Sequence, residues 1–225
     1  MSHLHRTIPA LFVLLPMLTG CGTNRVPASV TGRVAAMTAT PADPSALQLH
    51  VMFFDADHDG YVTLSETRKG FQRLGVSSLG SLGAAVLTHA GLRGASEGTR
   101  ISVARIESGK HGSDTGIYDA RGHFVQAAFE RMWAFDADRS GSLSGSELRK
   151  MIDTNRTDTI GYVASRGEFG LLLRIGADAT VTENGETVPA LSRARLMAFY
   201  DGTLFYKLAA AREGMEPLPD GDAGL

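Results

Sequence analysis

From Leu47 onward, apolar residues recur at helical spacing between short polar, carboxylate-rich breaks, a pattern that predicts a mainly α fold. Leu47, Val51 and Phe54 precede the first break and Leu64, Phe71 and Leu74 follow it, so two helices should flank a loop. Val76, Leu79, Leu82, Val86 and Leu87 form a further apolar stripe, weakened as a helix by Gly75, Gly80, Gly83 and Gly91. Lys110 to Asp119 reads as a turn-rich connector. Phe124 to Phe135 and Ser146 to Ile152 frame a second polar break, and Glu168 to Ile175 reads as a buried helical segment. Asn184-Gly185, set between Thr and Val residues in Thr180 to Val188, is a hairpin signal. A last helix runs roughly from Leu191 to Ala211, interrupted near Asp201-Gly202.

Both polar breaks have the layout of 12-residue EF-hand calcium loops. In the first, Asp55, Asp57 and Asp59 hold positions one, three and five, Gly60 supplies the sharp turn, the Tyr61 carbonyl is the seventh-position ligand, Thr63 sits where a bridging water is usual, and Glu66 closes the sphere. Calcium is a hard cation that takes six to eight oxygens, which is why alternate side chains must converge while the backbone curls. The second runs from Asp136 through Asp138, Ser140, Ser142 and Ser144 to Glu147. Ser140 replaces a carboxylate there, so weaker binding is expected than in the first loop. If the hands pair, Val62 and Leu143 would meet in a short β contact between the calcium loops.

The ends of the chain define its organisation. Arg6 precedes an apolar run, Ile8 to Leu18, that is too short and too broken by Pro9 and Pro16 to span a bilayer comfortably. Leu18-Thr19-Gly20-Cys21 follows and resembles the lipobox of bacterial lipoproteins, cut before the cysteine. Residues 1–20 are thus expected to be a signal peptide, 21–44 a lipidated N-terminus and flexible tether reaching roughly 25 to 30 Å, 45–213 a single domain, and 214–225 a disordered tail. Cys21 is the sole cysteine, so no disulfide forms within a monomer and no second thiol can ligate or attack. Acylation of Cys21 would make a lipid bilayer the first partner and the bacterial cell envelope the location. Gly22, where some inner-membrane lipoproteins carry aspartate, leans towards the outer membrane. The formal net charge of −2 becomes one unit more negative once Arg6 leaves with the leader, which argues against nucleic acid as a partner.

Three blocks occur in order: HVMFFDADHDG with SETRKGFQRLG, then KHGSDTGIYDARGHFV, then FYDGTLF. Together they resemble the caleosins, a family of calcium-binding haem peroxygenases, over about 165 residues. The resemblance implies a caleosin-like helical domain with two EF-hand units and an oxidoreductase that cleaves organic hydroperoxides, lipid hydroperoxides among them, and passes oxygen to an unsaturated fatty acid. It implies haem as well as calcium, with the family's two haem-linked histidines falling on His50 and His111. A haem peroxygenase needs an axial ligand on one face and a general acid–base group at the other. His50 and His111 fill these roles in either order, or both ligate. His58, His89, His123, Trp133, Tyr118 and Tyr200 read as structural. The chain departs from the plant proteins in two respects. No proline lies between Pro44 and Pro189, so the proline knot is absent and the segment Val76 to Leu92 suits a core or interfacial helix. The second calcium loop is well formed, which gives two calcium sites. The alternative is a non-enzymatic EF-hand lipoprotein with a structural or binding role.

Overall fold

The computed structural model describes residues 43–109, 116–157 and 159–213, all within one compact unit. In chain order these form α1 (Ala46–Met52), β1 (Tyr61–Val62), α2 (Leu64–Arg73), α3 (Ser78–Gly91), β2 (Ser96–Glu97), β3 (Arg100–Ser102), α4 (Gln126–Met132), β4 (Ser142–Ser144), α5 (Gly145–Thr154), α6 (Thr159–Gly176), β5 (Ala179–Glu183), β6 (Glu186–Ser192), α7 (Arg193–Tyr200) and α8 (Leu204–Arg212), with short 3-10 turns at Arg93–Ala95, Val103–Gly109 and Trp133–Phe135. The fold is mainly helical, as the apolar spacing predicts. Cys21, His111 and the tail 214–225 lie outside the described residues.

The starts of α1, α2 and α5 are written in the sequence as capping boxes. Ser45, Thr63 and Ser144 accept the amide of the third helical residue, and Gln48, Glu66 and Glu147 return a bond to the cap amide. In α2 and α5 the returning residue is also the twelfth position of an EF-hand-type loop, so one glutamate ends the loop and begins the helix.

The β contact between the loops is a correction. β1 pairs with β3, Val62 opposite Ile101, and β4 pairs with β6, Leu143 opposite Leu191. The strands therefore belong to separate three-stranded antiparallel sheets, ordered β1-β3-β2 and β4-β6-β5. Each loop meets a hairpin of its own, and that hairpin takes the backbone donors and acceptors a partner loop would have used. The second hairpin is the one signalled by Asn184-Gly185, whose φ values of 53° and 85° suit a type I′ turn. The first, Ser96 to Ser102 with Gly98 at φ 65°, was not anticipated.

Other boundaries moved for local reasons. Phe124 pairs with Tyr118 in an isolated bridge, so α4 begins at Gln126 and gives way to a 3-10 turn at Trp133. The segment from Glu168 is the second half of the 18-residue α6. Leu191 belongs to β6, and the terminal helix breaks at Asp201-Gly202-Thr203 into α7 and α8. Gly202 has φ 88°, and a Cβ there would stand 2.5 Å from the Ala46 carbonyl oxygen, so only glycine lets this corner rest on α1.

The stripe on α3 points outward. Leu79, Leu82 and Val86 are 82%, 44% and 52% exposed, while Ser81 and Ala85 face inward. Small residues win because α3 runs close to α6: a Cβ on Gly91 would touch Ala164, and Leu87 sits over Gly167. Among the described residues no helix is long and apolar enough to cross a membrane. Beneath α1, α2, α5 and α7 lies a continuous core that includes Phe53, Phe71, Phe129, Met151, Leu196 and Phe199.

Candidate functional site

In the first loop the backbone wraps around its own carboxylates. Asp55 accepts the amides of Asp59 at 3.2 Å and Gly60 at 3.0 Å, Asp57 accepts that of Asp59 at 3.2 Å, and Asp59 accepts that of Tyr61 at 2.8 Å. His58 and Gly60, both at positive φ, make the curl, and the His58 side chain is exposed. Glu66 accepts the amides of Ala56 at 3.1 Å and Thr63 at 2.9 Å and the Thr63 hydroxyl at 2.7 Å. The second loop repeats the arrangement. Asp136 accepts from Ser140 and Gly141 at 3.0 Å, Asp138 from Ser140 at 2.9 Å, and Glu147 from Ala137 at 2.8 Å and Ser144 at 3.0 Å.

Ligand atoms of Asp55, Asp57 and Asp59, and separately of Asp136, Asp138 and Glu147, lie within 4.8 Å of one another. Burial pushes the Asp55 carboxyl up, against the Gly60 amide and reinforced by Asp59, Glu66 and Asp57. Burial also opposes charge on Glu66, but its bonds from Thr63, Ala56 and Asp57 hold that carboxyl below its ordinary value. Packed acidic oxygens of this kind fit a hard divalent cation, which relieves their repulsion. Ser140, at the position of Asp59 in the first loop, brings no carboxylate, and its hydroxyl donates to the Ser142 carbonyl at 3.1 Å.

His50 lies one turn above the first loop, in the wall of a cavity of about 250 Å³. Its Nδ1 stands 3.3 Å from the Phe199 carbonyl oxygen, which can only accept, so Nδ1 carries the proton and Nε2 keeps its lone pair. Ring edges of Phe199 and Phe205 pack on the imidazole at 4.9 and 4.5 Å between centroids. Burial drives the His50 pKa down to about 4, against the raising effect of the Phe199 bond, so the ring is neutral near pH 7. The Tyr206 hydroxyl donates to the Leu49 carbonyl at 3.3 Å and fastens α8 to the same helix.

The rest of the cavity is mostly apolar. Val51 and Phe54 come from α1 and its exit, Thr67 and Phe71 from α2, Leu87 and Thr88 from α3, Tyr118 from the segment before α4, Glu168 and Leu171 from α6, Tyr200 from α7 and Phe205 from α8. His50, Tyr118 and the Phe199, Tyr200 and Phe205 group belong to three separate sequence blocks, so the blocks converge on one space. Glu168 and Thr67 were not picked out in the sequence: neither lies at a recognisable ligand spacing, and tertiary packing alone brings them here. Thr67 donates to the Thr63 carbonyl at 3.0 Å and meets His89 Nε2 at 3.0 Å, which joins the first calcium loop to the cavity wall.

Comparison with known proteins matches residues 42–209 to the family described as caleosin related protein. The chain is 35% identical to "Probable peroxygenase 4" of Arabidopsis thaliana over 182 residues, 76% of this chain and 89% of that protein. It is 33% identical to "Peroxygenase" of Lilium longiflorum over 178 residues, 75% of this chain and 71% of that protein. A shorter match, 31% over 101 residues, 44% of this chain and 45% of the relative, is to "Probable inactive peroxygenase-like protein" of Arabidopsis thaliana. No solved structure matches significantly.

Proposed function

This chain belongs to the caleosin family, and from that premise we propose that it is a membrane-tethered, calcium-binding haem peroxygenase acting on lipid hydroperoxides and unsaturated fatty acids. The observation that carries the reading is the convergence of the three sequence blocks on one apolar cavity with a neutral, half-buried imidazole in its wall.

The residues present suit haem. An imidazole that is to hold haem iron must be unprotonated at the ligating nitrogen, and its other nitrogen usually donates to a carbonyl or carboxylate that fixes the ring. His50 meets both conditions and would be the residue of this cavity that holds haem, with His111 the second haem-linked histidine that the family resemblance implies. Bound there, haem would supply the redox chemistry for splitting the O–O bond of a hydroperoxide and passing one oxygen to a second substrate. The chain's own contribution is positional. The Phe199 carbonyl orients His50, the edges of Phe199 and Phe205 hold the ring, and the apolar walls exclude water and accept an acyl chain.

The two loops take one calcium each. The first, joined to α1 through the Asp55 amide on the Met52 carbonyl at 3.2 Å, steadies the helix that carries His50. Tethering rests on the lipobox at Cys21. The exposed apolar residues of α3, with Val163 on α6 at 53% exposure, stand on the two helices that wall the cavity and suit a domain lying against a bilayer of the cell envelope.

Haem-loaded, calcium-loaded protein should oxygenate an unsaturated fatty acid with an isotopically labelled organic hydroperoxide as oxygen donor, and the label should appear in the product. Haem-loaded protein that consumes neither hydroperoxide nor fatty acid would overturn the reading.

A further inference from the structure

The two hairpins differ in what they bring to their calcium loops. On the first, Arg100 of β3 lies with its guanidinium 3.5 Å from Asp59, the fifth-position carboxylate, and 4.1 Å over the Tyr61 ring. On the second, Glu183 at the end of β5 accepts hydrogen bonds through one carboxylate oxygen from the Ser144 and Ser146 hydroxyls, the latter at 2.5 Å. Ser144 is the ninth loop position and the cap of α5, so Glu183 reaches a calcium-loop residue from 39 residues away. The first loop, with four carboxylates, thus receives a cation. The second, with three, receives an anion.

We propose that the hairpins set calcium affinity in opposite senses: Glu183 restores through Ser144 the acidic group that Ser140 removes from the second loop, while Arg100 offsets one carboxylate of the first. The inference rests on the calcium reading above and extends it to residues outside both loops. The Ser144 hydroxyl gives its proton to Glu183 and accepts the Glu147 amide as the helix cap, so what it can still offer a calcium-bound water or the ion is a lone pair rather than a proton, and this makes it the better ligand. Carboxylate count tunes EF-hand affinity, and outer partners of a ligand commonly change metal affinity tenfold or more. The weaker second site expected from composition is thereby brought level with the first.

The chain's single tryptophan, Trp133, immediately precedes the second loop. Terbium luminescence excited where only tryptophan absorbs therefore reads the second site in the intact protein, with calcium as competitor. E183Q should weaken calcium competition at this site about tenfold, and adding Ser140→Asp to that variant should recover it. Titration calorimetry of R100A should show the other site tightened several-fold. A second-site affinity within twofold of wild type in E183Q, or a loss that Ser140→Asp does not repair, overturns the proposal while leaving calcium binding intact. A wild-type chain that binds no calcium overturns the calcium reading, and this proposal with it.

Discussion

His50 concentrates the physical tension of the site in one side chain. A half-buried imidazole packed against Phe199, Phe205 and neighbouring apolar groups resists protonation, which suits metal ligation but costs stability in acid. Its folded pKa is near 4 against an ordinary value near 6.5, so between those limits the unfolded chain binds the extra proton. Stability of the haem-free protein should fall as pH drops from about 6.5 towards 4, by on the order of 3 kcal/mol from this group, and should owe nothing to it above that window. Denaturant midpoints measured against pH in wild type and His50→Leu would show it, the variant losing that part of the slope. Equal slopes would mean that His50 is not held neutral. At this scale the sequence was most informative where ligands are neighbours. Asp55, Asp57 and Asp59 are placed by one turn of backbone, whereas the Phe199 carbonyl that orients His50 is 149 positions away and leaves no local trace.

At the scale of elements, capping boxes and hairpin turns were readable because their chemistry is contained within a few residues. Partner choice was not. Nothing in Tyr61-Val62 or Ser142-Leu143-Ser144 says that each will pair with its own hairpin rather than with the other, since both pairings satisfy the same backbone groups. Which face of α3 is buried is not legible for a similar reason: periodicity identifies an apolar face, but the closeness of α6 at Gly91 and Gly167 selects the small-residue face for burial. The elements also carry a coupling. α1 runs straight into the first loop, and Thr63 of that loop holds Thr67 on the cavity wall. Glu66→Gln should therefore lose calcium from the first loop and lower haem retention several-fold, measured as haem remaining after gel filtration. Full retention in a chain with an empty first loop would break the coupling.

Over the whole molecule, the three blocks separated by tens of residues in sequence become one cavity, bordered by the residues that flank the first EF-hand loop and by the helices α3 and α6 that carry an exposed apolar face. The family was legible from the blocks, and residues 42–209 match it. The cavity was not legible, because its apolar walls are indistinguishable in sequence from ordinary core. The placement of His50 between the two, tied to the first loop along α1 and to the cavity through its ring, is the central claim. It is tested most directly by the absorption spectrum of calcium-loaded protein reconstituted with haem. Wild type should show a Soret band at one haem per chain. His50→Ala should lose it, and added imidazole should restore it by filling the vacated ligand position. Well-folded, calcium-loaded wild type without a Soret band, or a His50→Ala band identical to wild type, would contradict the account.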